Sequence, residues 1–240
     1  MKSSDVQSNL ALEPTARSRL ERAAAQRETL AGHRVRPHTR RKYAVPNMNS
    51  WIAKAVILAA CIVMFAIRAP HGARSRTVKV ARSYRGHREV VLLTLAWIGF
   101  LAPVIWVVSP LLSFADYPLR LWSLVGGTAC LVVGLWFFHQ AHVDLGTNWS
   151  VTLEIREKHQ LVTAGIYRFV RHPMYAALFL YAIGQALVVP NWLAGPSYIV
   201  AMAVLFPVRV GAEERMMLEQ FGDEYAAYIT KTKRLVPRVW

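Results

Sequence analysis

Five apolar runs, each about long enough to cross a bilayer, decide most of what this 240-residue chain can fold into. They occupy residues 51–67, 90–112, 119–138, 174–189 and 192–210. Backbone polar groups in hydrocarbon must be paired within their own segment, so runs of this kind fold as helices. The expectation is an all-α integral membrane protein with about five transmembrane helices. Pro103 falls inside the second run and implies a kink there. Gly126, Cys130 and Gly134 recur at a spacing of four in the third run and form a candidate ridge for close helix approach. The Pro190-Asn191 turn leaves so little chain between the fourth and fifth runs that they must form an antiparallel hairpin. Cys61 and Cys130 both lie in apolar runs, as packing residues and not as a disulfide framework.

Charge sets the expected orientation. The formal net charge of +15 is concentrated in loops and tails. Arg68, Arg74, Arg76, Lys79, Arg82, Arg85 and Arg88 lie between the first two runs, and Arg156, Lys158, Arg168 and Arg171 between the third and fourth. Arg215, Lys231, Lys233, Arg234 and Arg238 follow the fifth. The other two connections, around Asp116 and Pro190, carry no base. Alternating spans put the three basic segments, with the C-terminus, in the cytoplasm; for a bacterial protein that means the inner membrane. A basic chain also raises nucleic acid as a partner, but no basic-aromatic face or nucleic-acid module occurs, and none is expected to bind.

Residues 1–47 do not fit that scheme. They are polar, read as a disordered tail, and hold ten Lys or Arg that resist translocation. Starting the chain at Met48 removes the conflict, so Met48 is the expected native start or the tail is dispensable. The folded domain is then 48–240. After the fifth run an amphipathic helix is expected over 212–221, stopped by Gly222, with Asp223 capping a last short helix.

Chemistry is concentrated in two polar places. Arg171 and His172 stand before Pro173, a residue suited to the first turn of a helix. The N–H groups of that helix start offer a place for an anionic ligand group, with Gly165 turning the chain upstream and Tyr167, Phe169 and Tyr175 supplying aromatic faces. Arg209, Glu213 and Glu214 end the fifth run, and alternation brings them to the same membrane face. His139, His142 and Asp144 lack a second metal-binding motif and read as headgroup-level residues, so no metal site is expected. No P-loop and no Gly-rich dinucleotide fingerprint occurs.

The runs Leu145-Gly-Thr-Asn-Trp-Ser150, His159-Gln-Leu-Val-Thr-Ala-Gly165-Ile-Tyr167 and Arg171-His-Pro-Met-Tyr175 resemble the isoprenylcysteine carboxyl methyltransferase family. Asn191, Arg209 with Glu213-Glu214, and Phe221-Gly-Asp-Glu-Tyr225 resemble it too. The wider group includes the membrane phospholipid methyltransferases. The similarity covers 145–237, with Ala177, Trp192 and Pro207 as departures from the usual pattern.

The resemblance implies a membrane methyltransferase that uses S-adenosyl-L-methionine, with a cofactor pocket on the cytoplasmic side built by 145–237. It implies that His159, Leu161, Val162, Gly165, Tyr167, Arg171, His172, Tyr175 and Glu213 hold the cofactor. Arg209 and Glu214 are the expected catalytic pair at the acceptor end. The expected acceptor is a lipid-like or lipidated carboxylate entering from the bilayer, since a carboxylate needs an orienting cation and no base. N-methylation of a phospholipid is the enzymatic alternative and requires a base such as Glu214. A non-catalytic membrane scaffold that binds lipid is the alternative of another class, and a nucleotide-dependent reductase a further one.

Overall fold

The computed structural model describes residues 48–75, 79–83, 86–149, 152, 154–156 and 160–237. The expectations for residues 1–47 and for His159 lie outside the described residues. Everything below concerns the unit Pro46–Trp240.

Each apolar run is a helix. These are α1 (Met48–Ser75), α2 (His87–Val108), α3 (Leu121–Leu145), α4 (Pro173–Val188) and α5 (Ser197–Phe221), followed by the short α6 (Asp223–Lys231). By length and composition α1, α2 and α3 suffice to cross a membrane, and α4 is shorter at 16 residues. Ile62, Ile98, Val125 and Val200 project outward from α1, α2, α3 and α5, an apolar exterior suited to lipid. The all-α, multi-pass membrane architecture read from the sequence is borne out.

The connections sort into two ends. At one end, β1 (Val80–Ser83) and β2 (Glu154–Arg156) pair as an antiparallel ribbon, a small addition to the helical design. The ribbon joins the α1–α2 loop to the α3–α4 loop. A parallel bridge between Val170 and Lys233 brings the C-terminal segment to the same loop. All three basic segments therefore share one end, as alternating spans require. At the other end Asp116 bridges Asn191. The Asn191 amide, 0% exposed, donates to the Leu112 carbonyl at 2.6 Å and to Asp116 at 2.7 Å, and its oxygen accepts from the Leu193 and Ala194 N–H groups. That wiring closes the α4–α5 connection and the α2–α3 connection against each other.

Packing departs from the expected glycine ridge. The most extensive helix contacts are α3 on α4, then α2 on α5. In α3 it is Gly127 and Gly134, not Gly126, that meet α4. A β-carbon at Gly127 falls 2.7 Å from Val188 and 3.0 Å from the Gly184 carbonyl, whereas Gly126 has open space. Repeated steps of four drift steadily around a helix, whereas a step of four followed by one of three nearly cancels the drift, so 127, 131 and 134 share the buried face.

Three boundaries also differ. α3 runs on through His139, His142 and Asp144 to Leu145, and His142 is fully buried beside Trp149 and Phe138 instead of lying at headgroup level. α5 continues without a break into the stretch expected as a separate amphipathic helix. Gly222 takes positive φ and itself caps α6, with Asp223 the first helical residue.

Candidate active site

Pro173 opens α4 with His172 as its N-cap, which leaves the first N–H groups of the helix without an intrahelical acceptor. The chain before it is held from two sides. The Arg171 N–H donates to the Lys233 carbonyl at 2.7 Å and the His172 N–H to the Arg234 carbonyl at 3.0 Å. Upstream, Gly165 has φ +61°, and a β-carbon there collides with the Asp144 carboxylate, which accepts from the Ile166 N–H at 2.8 Å. Gly165 thus shapes the turn without lining the site. Phe169, expected as an aromatic wall, points outward under the Arg168 guanidinium.

These constraints aim the side chains at one cavity of about 240 Å³. Leu161, Val162 and Tyr167 line it from the segment before α4. Arg171, His172 and Tyr175 line it from the α4 entrance, and Arg209 and Glu213 from α5. Its far wall is apolar and lies within the bundle: Met64 and Phe65 of α1, Trp97 and Phe100 of α2, Met202 and Leu205 of α5. One continuous space therefore runs from an ionic end to an aromatic, aliphatic end.

The ionic end is a paired network. The Tyr175 hydroxyl donates to Glu213 at 2.7 Å, Arg209 Nε donates to the same oxygen at 3.1 Å, and the Arg209 guanidinium also meets Glu89 of α2 at 3.5 Å. Behind it, Glu214 accepts from Arg171 at 3.0 and 3.1 Å and from Arg234 at 2.6 Å, with His172 Nε2 at 3.3 Å. Arg171 also donates to the carbonyls of Ile229 and Thr232. Glu214 is therefore a buttress that fixes Arg171 and His172, and unlike Glu213 it does not line the cavity. Both carboxylates pair with side chains around the α4 entrance and not with the N–H groups of its first turn.

Burial raises the Glu214 carboxyl, but hydrogen bonds from His172, Arg234 and Arg171 outweigh it and hold the group well below its ordinary value of 4.5. In that interval the unfolded chain binds the extra proton, so stability rises with pH. The contribution is complete above pH 4.5 and is lost as pH falls below it towards the depressed folded value. Thermal unfolding in detergent is expected to show this acid slope, and Glu214→Gln to flatten it. An identical slope in both proteins contradicts the assignment.

Glu89 and Arg234 did not stand out in the sequence. Glu89 stands just before the second apolar run, in the first turn of α2, where an acid is favourable to the helix dipole. Its burial at 7% exposure and its pairing with Arg209, 120 residues away, come only from the fold. Arg234 was one base in a basic tail.

A family model described as the isoprenylcysteine carboxyl methyltransferase (ICMT) family matches residues 127–219. That stretch is ICMT-like. All the site residues expected from the sequence, His159 to Glu214, fall inside the ICMT-like stretch; Arg68, Glu89 and Arg234 fall outside it. The protein-S-isoprenylcysteine O-methyltransferases of Schizosaccharomyces pombe, Tribolium castaneum and Homo sapiens are 31%, 34% and 33% identical to this chain over 111, 108 and 118 residues. The alignments cover 45%, 44% and 48% of this chain but only 47%, 38% and 40% of those relatives, so the chain spans less than half of each. A solved structure of a eukaryotic intramembrane Ras methyltransferase ICMT aligns at 25% identity and a TM-score of 0.45, over 65% of this chain and 55% of the other.

Proposed function

We propose that this chain is a membrane-embedded, S-adenosyl-L-methionine-dependent O-methyltransferase that acts on the carboxylate of a lipid-linked or hydrophobic acceptor entering from the bilayer. The observation that carries the reading is the single cavity joining the Arg209–Glu213–Tyr175 cluster to an apolar wall inside the helix bundle. The ICMT-like stretch supports it.

The residues present suit the donor. Tyr167, Tyr175, Tyr225 and Tyr228 offer electron-rich faces to a sulfonium cation. Glu213 offers a carboxylate to its positive or hydroxyl groups, and the open N–H groups of α4 suit its amino-acid end. The bound donor supplies a methyl carbon on sulfur: the acceptor oxygen bonds to that carbon as the C–S bond breaks, its electron pair stays on sulfur, and no proton is released. Arg209 is positioned by Glu213 and Glu89 to orient the acceptor, and alignment of the reacting atoms supplies much of the rate. Phospholipid N-methylation fits less well. It needs a base to take an ammonium proton, and Glu214, the sequence's candidate, is committed to Arg171, Arg234 and His172 and held ionised. The shared end of the three basic segments is assigned to the cytoplasm on the distribution of Lys and Arg.

Titration of S-adenosylmethionine into detergent-purified protein, with NADPH as control, tests the reading. Saturable binding of the first alone is expected. His172→Ala is expected to weaken it about tenfold, the loss of one charge-assisted contact and of the α4 entrance geometry. Binding of NADPH alone moves the case to a reductase, and binding of neither by folded protein favours a scaffold.

A further inference from the structure

The cavity's cations are unequally committed. Arg209 is shared between Glu213 and Glu89, and Arg171 between Glu214 and two backbone carbonyls. Arg68 is different. Sequence position made it a loop base, but it lies within α1 and lines the same cavity. Its guanidinium carbon stands 5.4 Å from the ring centroids of both Trp97 and Trp149. Among the described residues no carboxylate lies within ion-pair distance of it. Aromatic faces attract a guanidinium without neutralising it and leave its in-plane N–H fork available for a planar anion. Met64 and Phe65, one turn before it, and Trp97 and Phe100 surround this cation with apolar surface.

We propose that Arg68 binds the carboxylate of a cavity ligand, and that this ligand is the acceptor, an apolar amphiphile whose chain lies along the Met64, Phe65, Trp97 and Phe100 wall. This rests on the methyl-transfer reading above. The other source of a carboxylate is the donor's amino-acid end. The acceptor is favoured because Arg68 sits in the apolar part of the cavity, whereas the polar groups that suit the donor cluster at the α4 entrance. Arg68 lies outside the ICMT-like stretch.

The test uses the full chain in detergent, S-adenosylmethionine as donor, and an S-isoprenyl N-acylcysteine with its methyl ester as probes. For Arg68→Gln the KM for the free acid is expected to rise about 30-fold, the effect of truncating one partner of a buried charge pair. Donor affinity stays unchanged, and the variant no longer prefers the acid over the ester as a bound ligand. Arg68→Lys, which keeps the charge and loses the fork, restores part of the affinity and guards against a folding defect. A fall in donor affinity with acceptor KM unchanged overturns the acceptor assignment in favour of the donor's carboxylate. If neither changes, Arg68 is an interfacial anchor and the proposal fails while the methyltransferase reading stands. If the unaltered chain neither binds donor nor transfers methyl, that underlying reading fails, and this one with it.

Discussion

Arg209→Ala is expected to abolish methyl transfer while leaving S-adenosylmethionine binding intact in the protein that folds, and to cost about 3 kcal/mol of stability. The two losses have one cause. Arg209 is 8% exposed and stands between Glu213 and Glu89, on α5 and α2. Removing the guanidinium takes away the cation that Glu213 and Glu89 share, in surroundings that screen charge poorly. Glu213 then loses the partner that sets its orientation, and the acceptor loses the cation that aligns it from the ionic end of the cavity. Arg209→Lys keeps a positive charge and is expected to recover most of the stability but little of the rate, because a point charge does not reproduce a fork shared between two acids. Thermal unfolding, donor titration and transfer assays on the same preparations separate these terms. Loss of donor binding in Arg209→Ala equal to that in His172→Ala contradicts the division of labour between α5 and the α4 entrance.

The parts of this site that were legible in the sequence are those fixed by local chemistry. Pro173 announces a helix start, and His172 is its cap because proline allows little else. Arg209 and Glu213 are four apart on a helix and must be neighbours. Alternation of spans brought the two clusters to one end, and the ribbon and the Val170–Lys233 bridge place all three basic segments there. Long-range pairing was not legible. Whether Glu214 faces the cavity or its supports depends on where Arg171 and Arg234 reach, and residues 171 and 234 meet only because the C-terminal segment folds back. Arg68 was assigned to a loop because apolarity fades before it, yet α1 continues to Ser75 through Pro70. Helix ends near a membrane surface are set by pairing and packing there, which composition does not report.

Gly184→Val is the second change with a large expected effect: about 3 kcal/mol, read as loss of folded protein in detergent. A β-carbon at 184 falls 2.7 Å from Leu131, 2.8 Å from the Gly127 carbonyl and 2.9 Å from the Leu131 amide. Two of these three are backbone atoms of α3, so no rotamer change relieves the clash, and the helices must separate. Separation loses dispersion contacts along the whole α3–α4 seam, which has no hydrophobic driving force to replace them in lipid. Gly126→Ala, one residue from the seam and facing open space, is expected instead to stabilise the protein by about 0.5–1 kcal/mol through helix propensity. Similar destabilisation by both changes contradicts the seam drawn here.

The Val170–Lys233 bridge has a bearing on when the protein becomes competent. The ion pairs that fix Arg171 and His172 draw on Arg234, and the backbone of 171 and 172 is held by carbonyls of 233 and 234. During synthesis all five apolar helices are made, and are available to the membrane, before residue 234 exists. A nascent chain at that stage has the bundle but not a set α4 entrance. On the proposed function, donor binding is expected only once translation has passed the clamp, and chains cut short before residue 233 are expected to remain inserted but inert.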